Sequence, residues 1–203
     1  MIGIILQGPT IYLNQLVGFY PSDTIISTWY GEEVPSYFKE RIFSNKPSNP
    51  GYGNVNLQFK TSYEGISLAK ILGYRYCIKI RSDLKFSSLD ILKKLDTTKL
   101  CSLAFHNWQG GYIVDYILGG PTDVLLDIYN ASFDNNDFAE RNLYRRIMRH
   151  NIGMQYLSPM CAKLNSSDKF TFIDSLKWNY EVGCSLLKDK LFSFPETLPI
   201  INL

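Results

Sequence analysis

Short apolar runs broken by turn residues dominate the first half of the chain. Residues 2–6 run apolar and stop at Gln7-Gly8-Pro9-Thr10. A run of that length bounded by turn residues predicts a buried strand. Residues 24–29 are a second, β-branched run behind the Pro21-Ser22 turn and Asp23, and residues 40–44 predict a third, short strand. Residues 13–19 carry only a weak helical pattern, and residues 45–54 hold the densest cluster of Pro, Gly and Asn in the chain. The spacing then becomes helical over residues 56–72, with Leu57, Ile66, Ala69 and Leu72 near one stripe and Gly73 as the stop.

Residues 76–80 predict an apolar strand that Lys79 interrupts and that delivers Arg81-Ser82-Asp83 at its end. Residues 88–95 predict a short helix, and residues 100–105 and 112–118 predict two strands flanking residues 106–111. Pro121 suits the first position of a helix over residues 121–129. Residues 138–150 read as a basic amphipathic helix stopped by Asn151 and Gly153, with Arg141, Arg145, Arg146 and Arg149 on a solvated face. The pattern is irregular after Gln155, with a strand predicted near residues 170–173. Strands alternating with helices imply an α/β domain with a mixed, mostly parallel central sheet. Such sheets bind ligands at the carboxyl ends of their strands.

Four polar clusters fall at or near those ends. Gly8 allows close backbone approach to a ligand, while the Gln7 amide and the Thr10 hydroxyl suit a base or ribose. A plain strand-to-loop turn would use the same residues. Residues 27–29 end the second strand on Ser27, Thr28 and Trp29. Asn54, Asn56, Gln58, Lys60 and Thr61 open the first helix, where backbone N–H groups favour anions; Asn56 would equally serve as a cap. Arg81-Ser82-Asp83 sets a carboxylate at the sheet's open edge, suited to a hard divalent ion, beside a guanidinium suited to phosphate. A surface ion pair at a strand end is the simpler account of the same residues. Asp115 interrupts a run that reads as a buried strand, so it is either a hydrogen-bonding hub or a catalytic group. Glu140 lies in the first turn of its helix, where the dipole alone would favour it.

Composition narrows the classes. The 203 residues carry 21 Lys and Arg against 19 Asp and Glu, a formal charge of +2 that argues against a dedicated nucleic-acid binder. No apolar run reaches the length of a membrane span, and residues 1–6 read as a first strand rather than a secretory leader. The four cysteines, Cys77, Cys101, Cys161 and Cys184, form no Cys-x-x-Cys pair, so a reducing, cytoplasmic setting is expected. Neither a Walker loop nor Gly-x-Gly-x-x-Gly follows the first strand, and no Gly-x-Ser-x-Gly elbow occurs.

The order of these segments resembles the WavE-type lipopolysaccharide-synthesis glycosyltransferases and the short nucleotide-sugar transferase domains of large algal DNA viruses. The carrying residues are Ile4-Ile5-Leu6-Gln7-Gly8-Pro9, Ile25-Ile26-Ser27-Thr28-Trp29, Asn54-Val55-Asn56-Leu57-Gln58 with Thr61 and Gly65, and Ile78-Lys79-Ile80-Arg81-Ser82-Asp83. Asp115, Gly119-Gly120, Ala139-Glu140 and Lys177-Trp178-Asn179-Tyr180 follow in order. The resemblance implies one GT-A-like catalytic domain over residues 1–203, with residues 1–99 as donor half and residues 100–203 as acceptor half. It implies a nucleotide-diphosphate sugar donor, most simply a UDP-sugar, a glycan or glycoprotein acceptor, and Mn²⁺ or Mg²⁺. In that fold an Asp-x-Asp motif commonly meets the ion; here Arg81-Ser82-Asp83 stands in its place, and only Asp83 matches.

The expected site follows. Gln7, Gly8, Pro9, Thr10, Thr28, Trp29, Asn56, Lys60, Arg81 and Ser82 would bind the donor, Asp83 would hold the metal, and Asp115 and Glu140 are the catalytic carboxylates. In an inverting transfer one of them deprotonates the acceptor; in a retaining one they stabilise the sugar cation. Residues 106–111 and Tyr112 are candidates for an acceptor platform. A sugar-phosphate nucleotidyltransferase is one alternative, although Gln7–Thr10 lacks a basic, Gly-rich loop. A non-catalytic nucleotide- or carbohydrate-binding module is the other.

Overall fold

The structure, a computed structural model, describes residues 1–86, 89–102, 105–106, 112–113, 115–130, 136–156 and 170–172. The strands are β1 (Ile2–Gln7), β2 (Ile25–Trp29) and β3 (Arg41–Ser44), followed by helix α1 (Val55–Ile71) and strand β4 (Tyr76–Arg81). Then come β5 (Leu84–Phe86), β6 (Leu100–Ser102), β7 (Phe105–His106), β8 (Tyr112–Ile113) and β9 (Ile117–Pro121). Helices α2 (Thr122–Tyr129) and α3 (Ala139–Ile147) precede β10 (Met154–Tyr156) and β11 (Phe170–Phe172). Among the described residues no helix is long and apolar enough to cross a membrane.

Seven strands form one sheet in the order β10-β6-β9-β4-β1-β2-β3. The pairs β1–β2, β2–β3, β1–β4 and β6–β10 are parallel, and only β9 runs antiparallel to its neighbours β4 and β6. The expected α/β class with a mostly parallel, mixed sheet is therefore what the chain forms. From β1 the chain moves outward through β2 and β3, then returns along α1 to β4 on the other side of β1. That reversal places the topological switch point of the sheet between β1 and β4, the position at which open α/β sheets bind ligands. Strands from before and after residue 99 share this sheet.

Alternation along the strands divides the core. Ile4, Leu6, Ile26, Ile78 and Ile80 pack on one face with Leu13, Leu16, Tyr20 and Phe38. Ile5, Ile25 and Cys77 point to the other face, which Phe59, Ile66, Leu125, Ile128 and Leu143 from the three helices cover. Cys77 and Cys101 are both buried free thiols, and burial pushes each thiol up to about 12. Gly65 lets α1 lie close to the sheet: a Cβ there would meet Ile5 Cγ2 at 2.7 Å and Ser27 Cβ at 2.9 Å.

The structure departs from the sequence reading in several places. The weak helical stretch and the helix expected over residues 88–95 are 3-10 segments, Thr10–Leu16 and Leu89–Lys94. The single strand expected over residues 112–118 is two strands, β8 and β9, with Asp115 and Tyr116 in a turn between them. β5 and β10 carried too few residues to register as periodic runs. Asn54, not Asn56, precedes α1, and it adopts a left-handed φ of 63°. Pro121 ends β9 and caps α2 rather than opening it. Cys161, Cys184 and residues 177–180 lie outside the described residues.

Gly65→Ala is expected to destabilise the fold by about 1–3 kcal/mol, because the clash is with sheet atoms that cannot withdraw. Its helix propensity would act the other way. Urea unfolding of the variant against wild type measures the difference, and a stabilised variant would show that α1 has room to shift.

Candidate functional site

Register sets the site. Gln7 pairs with Ser27 on one side and with Arg81 on the other, so these three residues form one row across the carboxyl ends of β2, β1 and β4. One row below, Ile5 pairs with Ile25 and Lys79. The period of two turns both rows toward the helices. Thr61 of α1 confirms this direction: it takes a hydrogen bond from Gln7 Nε2 at 2.7 Å, and its carbonyl accepts from Ser27 Oγ at 2.6 Å. Gln7 and Ser27 are buried and anchor α1 over the edge.

The loops after β1 and β4 are stitched together. Ser82 N donates to the Gln7 carbonyl at 2.9 Å and Ser82 Oγ to the Pro9 carbonyl at 2.7 Å. Gly8 between them has a φ of 125°, and a Cβ there would stand 3.0 Å from Ser82 Oγ. Only glycine takes that conformation readily, so the close approach depends on it. Glu32 completes the edge. Its Oε2 accepts from Thr10 N at 2.9 Å and from Thr28 Oγ1 at 2.7 Å. Thr10 and Thr28 are therefore joined through a carboxylate that sequence reasoning did not select. Trp29 is buried.

Arg81 and Asp83 form a two-pronged pair, Nε to Oδ1 at 3.0 Å and Nη2 to Oδ2 at 2.5 Å. The guanidinium also stacks 4.8 Å over the Tyr116 ring, and Arg81 N donates to the Tyr116 carbonyl. The Arg81 side chain is 26% exposed and that of Asp83 only 8%. Below Arg81, Lys79 is fully buried and its ammonium donates to the backbone carbonyl of Asp115. The Asp115 carboxylate oxygens are buried, with no hydrogen-bond partner among the described residues. Glu140 enters the same field from the first turn of α3, half-buried. Burial pushes the Tyr116 hydroxyl up to about 12; Arg81 opposes the shift, and Asp115, Glu140 and Asp83 add to it. Burial, and then the Asp115 charge, raise Tyr129 of α2 as well.

Arg81, Ser82 and Asp83 thus meet Gln7, Gly8 and Pro9 at one edge, with the Asp115 backbone on Lys79 beneath, while Glu140 acts on Lys79 and Tyr116 through its charge. Asn56 and Lys60 are not seen in contact with that group. Asn56 Nδ2 donates to the Asn49 carbonyl at 2.9 Å, and Lys60 pairs with Glu64 at 2.5 Å. Both line a shallow pocket of about 230 Å³ with Phe59, Tyr63 and Tyr129. The arginines of α3 are not a plain solvated face. Arg146 is buried, donating to the Ile128 carbonyl at 2.8 Å, and Arg141 and Arg145 both meet Asp137. Lys79 was the missed signal: a lysine inside an apolar strand must find a buried acceptor. Residues 107–111, offered as an acceptor platform, lie outside the described residues.

Asp83 is the residue that would hold a divalent ion. Among the described residues no three His, Cys, Asp or Glu side chains gather into a protein-built cage. A lone edge carboxylate fits the other common arrangement, in which one carboxylate and the substrate's phosphates share a hard ion. Arg81 takes both of its oxygens in this structure.

Lys79 yields a pH test. Burial lowers its pKa; Asp115 opposes this, Arg81 reinforces it, and Glu140 and Asp83 oppose it. The unfolded chain keeps this proton up to about pH 10.4, whereas the folded chain releases it earlier. Between those points the unfolded state binds more protons, so this group's contribution to stability rises with pH. The unfolding free energy of wild type relative to Lys79→Met is expected to increase as pH rises toward about 10. A difference independent of pH would show that Lys79 titrates normally. No family model matches this sequence, and no curated protein matches it.

Proposed function

We propose that this chain is a glycosyltransferase moving a sugar from a nucleotide-diphosphate donor, most simply a UDP-sugar, to a hydroxyl of a glycan or glycoprotein acceptor. The observation that carries the reading is the polar row Ser27, Gln7 and Arg81 at the reversal of the sheet, with Gly8 beside it and two carboxylates, Asp115 and Glu140, in the same field. Anionic ligands bind at such edges, and Gly8 lets a ligand approach the backbone. The reversed strand β9 inside a parallel sheet supports the finer reading of a GT-A-like fold.

The two carboxylates differ in access. Asp115 has both oxygens sealed, whereas Glu140 is half-buried at the start of α3. Glu140 is thus the group an acceptor reaches. In an inverting transfer it accepts the hydroxyl proton as the acceptor oxygen bonds to the anomeric carbon. The bond from that carbon to the diphosphate oxygen breaks, and its electron pair leaves with the diphosphate. Arg81 supplies N–H donors to the departing charge. Asp83 is the residue to hold Mn²⁺ or Mg²⁺, which supplies charge neutralisation at the leaving group when bound. Asp115 acts from beneath, through the field it shares with Lys79 and Tyr116.

The test is release of nucleoside diphosphate by the purified chain across a nucleotide-sugar panel, with sugar acceptors present. Glu140→Gln is expected to lower kcat by about 10²–10⁴ with donor Kd unchanged, and Asp115→Asn to stay within about tenfold. The reverse ranking would make Asp115 the base. Pyrophosphate release from a nucleoside triphosphate and a sugar phosphate would instead identify a nucleotidyltransferase. Nucleotide binding without turnover would identify a binding module.

A further inference from the structure

Arg81 and Asp83 hold each other in a two-pronged pair. A diphosphate entering alone must therefore compete with the Asp83 carboxylate for the Arg81 fork. Both Asp83 oxygens are engaged by Arg81, so an ion entering alone competes with the guanidinium for them.

Each obstacle removes the other when the two ligands come together. We propose that Arg81 is an exchangeable occupant of Asp83: it holds that carboxylate until nucleotide and divalent ion arrive together, then turns its fork to the diphosphate. The proposal rests on the glycosyltransferase reading. The geometry makes the exchange cheap. A phosphate oxygen pair accepts the same two-pronged pattern that the carboxylate does. The guanidinium has five N–H donors, of which Asp83 uses two, and its side chain is the more exposed member of the pair. The Tyr116 ring under its face and the Arg81 N bond to the Tyr116 carbonyl give it a fixed base about which to turn. Asp83 stands at the strand end with one carboxylate to offer, the number a substrate-borne ion needs.

The consequence is coupling. Binding of the ion and of the nucleotide must each strengthen the other by the same factor. The 203-residue chain is titrated with Mn²⁺, followed by electron paramagnetic resonance, and with UDP, GDP, CDP and ADP by calorimetry, in EDTA and in Mn²⁺. For the nucleotide that binds, each partner is expected to improve the other's Kd about tenfold or more. Arg81→Met frees Asp83, so Mn²⁺ alone should bind more tightly than to wild type while the coupling shrinks. Asp83→Asn frees Arg81, so the nucleotide in EDTA should bind more tightly than to wild type, and Mn²⁺ should no longer help. Equal nucleotide affinity in EDTA and Mn²⁺ for wild type overturns the proposal while leaving the transferase reading intact. So does an Arg81→Met protein whose affinity for Mn²⁺ alone is unchanged or weaker. If one variant fails to fold, the wild-type titrations and the other variant still decide. Failure of all four nucleotides in both buffers removes the transferase reading and the proposal with it.

Discussion

The parallel register of three strands is the constraint on which the rest of the site depends. Because β1 is paired on both sides, Ser27, Gln7 and Arg81 must stand in one row, and their strand period must turn them to one face. A slip of one residue in either pairing would send this row into the apolar cluster around Leu13, Leu16 and Tyr20. Burial of Ile4, Leu6, Ile78 and Ile80 on that other face prevents the slip. The hydrophobic core thereby determines where the polar chemistry is presented. Gln7 and Ser27 are used for anchoring α1, which leaves Arg81, whose side chain is partly exposed, as the member of the row accessible from solvent.

Much of this arrangement was legible because it repeats a simple pattern. Each central strand is an apolar run that turns polar at its carboxyl end, and periodicity alone located Gln7, Ser27 and Arg81 there. The reversal at β1 could not be read that way, since strand order depends on pairing between distant segments. The pairing of Arg81 with Asp83 was open to inspection, because residues two apart at a strand end can turn toward each other. Glu32 was not, because its partners Thr10 and Thr28 meet it only after two loops close. Short elements were the other loss. β5 and β10 have three residues each, too few to display a period. The α3 arginines were misjudged for a different reason. A 3.6 period identifies a polar stripe but not whether an apolar neighbour will cover it, and Arg146 lies over the Phe59 ring with its head on the Ile128 carbonyl.

The correction at Asp115 carries the most chemistry. In a continuous strand, the backbone carbonyls of residues 112–118 would be committed to the ladder. The break between β8 and β9 releases the Asp115 carbonyl, and the Lys79 ammonium takes it. A lysine in the middle of a central strand is otherwise untenable, since an unsatisfied buried ammonium costs several kcal/mol. The same turn delivers the Tyr116 ring beneath Arg81, and the Tyr116 carbonyl extends the ladder to Arg81 N. One interruption therefore serves two cations on the same face of β4. It also leaves the Asp115 carboxylate buried with no hydrogen-bond partner among the described residues, a cost that calls for an explanation beyond the turn itself. A buried carboxylate of this kind, beside the carboxyl ends of the sheet, is where physical reasoning looks first for a functional group.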